Sequence, residues 1–230
     1  ADYFKSCRAE RSHMIKLTKL NLPPDLEVRI AERTQRYQDL VASGEPVPDS
    51  LAYAYKSAEV KALLRTETAD KCAYCESKIP HVDYGDVEHL LPKSIFPQLR
   101  YTYGNLTYAC GVCNTKKGDF YSPETPLLNP YEDNPSEHLI PIGPMVMRSP
   151  TSDRGLLTEK KLALNRSELV ERRMERLEAV ATLLDQIART ANPIIRSVLV
   201  EQVEKECRDD QEYALVVRAF VANSLERVDQ

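Results

Sequence analysis

Along the chain, apolar residues first settle into a helical rhythm behind a proline pair. Leu26, Ile30, Tyr37 and Leu40 with Val41 recur near the 3.6-residue period and form one stripe. Pro23 and Pro24 stand where a first helical turn tolerates proline. Gly44 supplies a stop, and residues 45–48 read as a loop. A second helix is expected from about Ser57 to Thr66, with Val60, Leu63 and Leu64 inward. The periodicity then vanishes over residues 70–122, where Tyr, Cys, Gly, Asn, Pro and His concentrate. Residues 123–164 are punctuated by Pro123, Pro126, Pro130, Pro135, Pro141, Pro144 and Pro150. They read as an irregular connection carrying one short strand pair, around Leu139–Ile142 and Val146–Arg148. Helical rhythm returns at Asn165, an N-cap candidate with Glu168 placed to close a capping box. Val170, Met174, Leu177, Ala181 and Leu184 form the expected core face. Pro193 interrupts, and two more helices are expected over about 194–207 and 210–226.

The pattern gives five segments. Residues 1–13 lack a period and are expected to be a disordered extension before Met14. Residues 14–69 form an N-terminal helical segment, 70–122 a compact chemical module, 123–164 the connection, and 165–230 a C-terminal helical segment. The fold class is α+β, mostly α, with the module inserted between two helical bodies.

Composition narrows the function. The chain has 230 residues, 42% hydrophobic and 29% charged, as in an ordinary globular protein. It has no apolar run long enough to span a bilayer and no secretory leader pattern, so a cytoplasmic place without membrane contact is expected. The net charge of −4 argues against a strongly basic, self-sufficient nucleic-acid binder. A bound cation or a partner protein would then supply the attraction to phosphate.

Four of the six cysteines form two Cys-x-x-Cys pairs, Cys72/Cys75 and Cys110/Cys113. In a reducing compartment such pairs indicate zinc rather than disulfides. Four thiolates leave no position open for water, so this Zn²⁺ is structural. It would tie the two ends of the 76–109 excursion, where a small module cannot bury a large core. Cys7 and Cys207 read as plain thiols, His81 as a surface residue, and His13 and His138 as uninvolved.

Between and just after the cysteines lie Val87 to Lys93 (VEHLLPK), Asn105 to Cys110 and Cys113 to Gly118 (CNTKKG). Phosphodiester hydrolysis needs a base for the attacking water, which a neutral imidazole provides near pH 7. Charge gathering on phosphate oxygens needs a hard divalent cation held by oxygen donors. His89 can be the base, and Glu88 and Asn114 the oxygen donors for Mg²⁺ or Mn²⁺. Neighbours on a strand point to opposite faces, so Glu88 and His89 share one site only where the backbone twists or bulges. Lys93, Lys116 and Lys117 stand where they can contact substrate phosphate, with ordinary solvated lysines as the alternative. Tyr101, Tyr103 and Tyr108 read first as packing residues.

With these residues the sequence resembles the HNH, or ββα-metal, endonucleases. The resemblance implies that the acidic residue before the catalytic His binds the metal, here Glu88 where Asp is commoner. It implies that a central Asn, here Asn105, holds the loop or orients the base, and that Asn114 is the second metal ligand. A narrower resemblance extends from Met14 to the last helices. It rests on Lys71 to Glu76 (KCAYCE), Val87 to His89, Pro92-Lys93, Lys117 to Asp119, Leu128 to Pro130, Asp133 to Pro135, Leu162 to Asn165 and Arg172-Arg173. These are similar to the PtuB family, HNH subunits of Septu and retron-associated anti-phage systems. That resemblance implies a PtuA-like ATPase partner docking on the helical segments. It also implies nucleic acid as substrate, with DNA favoured and an RNA such as tRNA the alternative. A non-catalytic zinc module that binds nucleic acid or a partner protein is the competing reading, and Glu88, His89 and Asn114 are the residues it would not need.

Overall fold

The structure is a computed structural model and describes residues 16–80 and 83–228. The 1–13 extension, Cys7, His13 and His81 lie outside the described residues. Helix α1 (Pro24–Ser43) begins on its proline, with Asp25 and Glu27 in the positive first turn. It ends where Gly44 turns left-handed at φ 74° and the Glu45 N–H returns to the Leu40 carbonyl at 3.0 Å. Leu26 is buried, and Ile30, Tyr37 and Leu40 pack against the core, but Val41 faces outward at 54% exposure. A single turn, α2 (Asp49–Ala52), follows the proline-rich loop. Helix α3 (Ala58–Glu67) is capped by the Ser57 hydroxyl and buries Val60 and Leu64.

Strand β1 (Asp86–His89) pairs antiparallel with β2 (Leu106–Ala109), in the register Asp86–Ala109, Glu88–Thr107 and His89–Leu106. Helix α4 (Gly111–Lys117) follows β2 directly and packs on β1. A second hairpin joins β3 (Leu139–Ile142) to β4 (Met145–Arg148). The chain closes with α5 (Asp153–Lys161), α6 (Ser167–Arg189), α7 (Pro193–Glu206) and α8 (Ala214–Val228). The architecture of the described residues is α+β and mostly helical, with two small sheets. One apolar cluster runs through it, from Leu26 on α1 through Leu64, Leu106 and Tyr108 to Leu177, Val203 and Val217. No helix among the described residues is long and apolar enough to cross a membrane.

Three expectations are corrected. The connection after residue 122 is less irregular than its prolines suggest, because it contains α5. The Ser152 hydroxyl caps that helix from the Gly155 N–H at 2.9 Å. Asn165 does not cap α6, whose N-cap position is Arg166. Its amide instead clamps β4: the Val146 N–H donates to Asn165 Oδ1, and Nδ2 donates to the Val146 carbonyl, both at 2.8 Å. The inward face of α6 is Leu169, Arg173, Leu177 and Val180, while Met174 is 43% exposed. A buried arginine in the stripe is tolerated because its guanidinium donates to the Leu164 carbonyl at 2.8 Å and the Pro144 carbonyl at 3.3 Å.

Candidate active site and metal centres

The two Cys-x-x-Cys turns meet. All four sulfurs of Cys72, Cys75, Cys110 and Cys113 lie within 4.8 Å of one another, and Cys75 Sγ is 3.9 Å from Cys110 Sγ. Four thiolates at a Zn–S distance of about 2.3 Å define a tetrahedron with edges of about 3.8 Å, so the cluster fits such an ion. The first turn is closed by Glu76, left-handed at φ 63°, whose N–H returns to the Cys72 carbonyl at 3.0 Å. That conformation favours glycine, so its occupation by glutamate is unusual. Arg166, at the entry to α6, points both guanidinium nitrogens at the cluster, 3.8 Å from Cys75 Sγ and from Cys113 Sγ. A four-thiolate site with a divalent ion carries two net negative charges, which this arginine partly offsets. Residue spacing alone does not reveal Arg166.

Helix α4 starts within this cluster. The Cys110 sulfur accepts from the Cys113 N–H, and Asp83 accepts from the Gly111 N–H at 3.0 Å, a carboxylate at a helix N-terminus. The helix thereby lies across β1, with Asn114 and Lys117 one turn apart on the facing side. Asn114 Nδ2 donates to Asp86 at 2.7 Å. Lys117 Nζ donates to Glu88 Oε1 and to the His89 carbonyl, both at 2.7 Å. Asp86 and Glu88, two apart on a regular strand, therefore share the face that α4 covers. The donors there are two carboxylates and an amide oxygen, which suit a hard divalent cation. Oε1 of Glu88 is taken by the ammonium, leaving Oε2.

His89 faces the other way. It is 3% exposed, its ring meets Tyr55 edge to face at 4.5 Å, and Nε2 lies 2.9 Å from the Arg100 carbonyl. A carbonyl only accepts, so Nε2 carries the proton and Nδ1 is the nitrogen left with its lone pair. Burial lowers the imidazole to about 4, against the raising effect of the Arg100 hydrogen bond, so the ring is neutral near pH 7. Burial also raises Glu88 above the usual carboxylate range, opposed by the charge of Lys117. β1 pairs regularly through both residues, without a bulge, so the structure brings Glu88 and Asn114 to one face and leaves His89 on the opposite one.

Asn105 holds the loop between the strands. Its Oδ1 accepts from the Leu91 N–H at 2.8 Å, and Nδ2 donates to the carbonyls of Leu91 at 3.0 Å and Leu99 at 3.4 Å. The lysines divide. Lys116 is exposed, and Lys93 is half-buried with its ammonium 5.7 Å from the Tyr55 ring centre. Lys117 is 2% exposed with its ammonium held by Glu88, which rules out the alternative of an ordinary solvated lysine at this position. A cleft of about 550 Å³ opens beside the hairpin, lined by Tyr74, Leu91, Asn105, Lys117 and Tyr121 among others. Sequence reasoning missed Asp86, and behind β2 it missed Glu67, whose side chain is fully buried. Glu67 gathers Lys19 at 3.1 Å, Tyr103 at 2.5 Å and Tyr131 at 2.8 Å behind β2.

Residues 72–120, which hold the four cysteines, the β1–β2 hairpin and α4, match the family model described as HNH endonuclease. Beyond that class, the chain is similar to two proteins named Septu protein PtuB. It is 34% identical to the one from Bacillus thuringiensis, over 55% of this chain and 46% of the relative. It is 32% identical to the one from Bacillus mycoides (strain KBAB4), over 52% of this chain and 51% of the relative. The chain thus spans about half the length of the curated relatives it matches.

Proposed function

We propose that this chain is a metal-dependent HNH endonuclease that hydrolyses phosphodiester bonds, the nuclease component of a Septu-type anti-phage system in the cytoplasm. The observation that carries the reading is the HNH match over 72–120 falling on a strand and helix that face each other through Glu88, Asp86 and Asn114. His89 is the general base through Nδ1, held in that tautomer by the Arg100 carbonyl. Asn105 keeps the 90–105 loop closed over it. Glu88 and Asn114 are the residues to hold Mg²⁺ or Mn²⁺, and Asp86 turns the Asn114 amide so that its oxygen is free. When bound, the ion supplies charge for the phosphate oxygens and the leaving group. For the imidazole and the ion to serve one phosphate, the end of β1 has to twist beyond what the structure shows. Lys93 and Lys116 contact backbone phosphate. The cysteines hold a structural zinc. DNA is the favoured substrate, with an RNA such as tRNA as the alternative, and a PtuA-like ATPase docks on the helical segments.

One observation favours a second reading. Glu88 and His89 are both buried and already partnered, as expected of a zinc module that binds nucleic acid or a protein without cutting. A cleavage assay with Mg²⁺ or Mn²⁺ separates the two. His89→Ala should cost about 10²- to 10⁴-fold in rate while the protein stays folded and zinc-loaded. Wild type without cleavage of DNA or RNA, or His89→Ala cutting like wild type, would hand the assignment to the binding module.

A further inference from the structure

Several surface arginines of this chain stand beside carboxylates. Arg29 pairs with Asp25 and Glu59, Arg65 with Asp70, Arg172 with Glu175 and Arg189 with Asp185. One groove departs from that pattern. It lies between α1 and the turns that follow it and has a volume of about 580 Å³. Arg33, Arg36 and Lys56 line it with Tyr53 and a single carboxylate, Glu32. These four charged side chains have no hydrogen bond or ion pair among the described residues. Lys56 has only aromatic neighbours, its ammonium 5.7 Å from the ring centre of Tyr53 and 5.9 Å from that of Tyr55. Arg36, Lys56 and Tyr53 are exposed, Tyr53 to 54%. Three cations thus face one anion in a chain whose net charge is −4. Such a local surplus of positive charge is complementary to a polyanion.

The groove is fixed to the His89 side of the hairpin. Tyr55, between Ala54 and Lys56 of its wall, packs its ring on His89 at 4.5 Å. Arg100 donates to the Ala52 carbonyl at 2.9 Å while its own carbonyl accepts from His89. The Tyr101 hydroxyl holds the Leu51 carbonyl at 2.6 Å. Lys93 approaches the same Tyr55 ring, 5.7 Å from its centre. Lys56 and Lys93 therefore share one aromatic neighbour, and positive charge runs from the groove to the loop after β1. An exposed aromatic ring among cations suits an unpaired strand, whose bases can stack while its phosphates meet the charges. We propose that this groove carries a single-stranded segment of the substrate nucleic acid, with Arg36 and Lys56 on backbone phosphates and a base stacked on Tyr53. The assignment rests on the nuclease reading and adds substrate contacts outside residues 72–120.

The test titrates the full zinc-loaded chain with fluorescent single-stranded DNA and RNA oligonucleotides over a range of sodium chloride. No magnesium or manganese is added, so that nothing is cut. Each phosphate contact removed lowers the slope of log K against log salt by about 0.7 on a single strand. The double variant Arg36→Gln, Lys56→Gln should therefore lose about 1.4 from the slope and bind about 10- to 30-fold more weakly at about 0.1 M salt. Its melting temperature should match wild type, since both side chains are exposed. Glu32→Gln should act with the opposite sign and tighten binding, which damage to the fold cannot do. Tyr53→Ala should weaken binding and leave the slope unchanged, as loss of stacking does. Unchanged affinity and slope in the double variant overturn the inference, and are the result expected of a groove that receives an acidic protein face. Weaker binding by Glu32→Gln also overturns it, as does wild type that binds neither oligonucleotide. Failure of the nuclease reading looks different: wild type cuts nothing with Mn²⁺, while the groove variants still lose affinity.

Discussion

Removing the Lys117 ammonium isolates the tie between α4 and β1. The Lys117 and Glu88 side chains are 3% and 9% exposed, and their charged atoms are 2.7 Å apart. Lys117→Met keeps the aliphatic stem and deletes the charge. It leaves the Glu88 carboxylate and the His89 carbonyl without their donor. Stripping one partner from a buried ion pair costs about 3–5 kcal/mol, because the remaining charge is uncompensated. A surface pair would cost about 1 kcal/mol or less. Urea unfolding at fixed zinc concentration reads the difference. The double variant Lys117→Met, Glu88→Gln should be more stable than Lys117→Met alone, since no charge is left stranded. Millimolar Mn²⁺ should restore part of the loss in the single variant and none in the double, because a cation on Glu88 replaces the ammonium. A loss below about 1 kcal/mol for Lys117→Met would show that Glu88 is solvated. Equal Mn²⁺ response in both variants would show that Glu88 does not bind the ion.

Three further outcomes are expected. Asn105→Ala strands the Leu91 N–H and carbonyl, and should cost about 2–4 kcal/mol with faster exchange of the Leu91 amide; unchanged exchange would contradict the clamp. Gly85→Ala places a methyl 2.4 Å from the Tyr108 ring at a φ of +65°, so about 2–4 kcal/mol should be lost in thermal or urea unfolding, and a wild-type midpoint would refute the clash. Stripping zinc with a chelator should release about one ion per chain and unfold the 72–120 segment, monitored by circular dichroism and metal analysis; a folded, zinc-free protein would refute the structural role.

Local chemistry made much of this molecule readable. Pro24, Gly44 and Ser57 mark helix ends by backbone geometry alone, and the structure places ends beside each of them. The 139–142 strand likewise sits where turn residues flank a short apolar run. Helix α5 escaped because its start hides behind Pro150 in a proline-rich tract. Its Gly155 lies so close to the His138 carbonyl that a Cβ would sit 2.1 Å away. The face of α6 was misread because apolar count gives Met174 more weight than Arg173, and only distant carbonyls make Arg173 an interior residue. In the candidate site, cysteine spacing announced the cluster. Lys117 looked like its neighbour Lys116, since nothing within the α4 sequence says which lysine meets Glu88 across the hairpin. Asp86 stayed unnoticed for the same reason: its partner Asn114 is near only after folding.

The Cys72–Cys75 turn is gripped on both sides by residues 209–213. Lys71, 3% exposed, donates to the Gln211 carbonyl at 3.0 Å and to that of Asp209. Ser77 meets the Tyr213 hydroxyl at 2.9 Å, and the Lys78 N–H reaches Glu212 at 2.6 Å. A graft of residues 71–120 onto another scaffold would leave these groups behind and turn the buried Lys71 toward new surroundings. Recombination that preserves the fold must carry the 209–213 turn along with residues 71–78, although more than a hundred residues of sequence separate them. The segment that matches the HNH model is contiguous in sequence, but its supporting floor is not, and exchange between homologues at the edges of 72–120 should give poorly folded chimeras unless both pieces come from one parent.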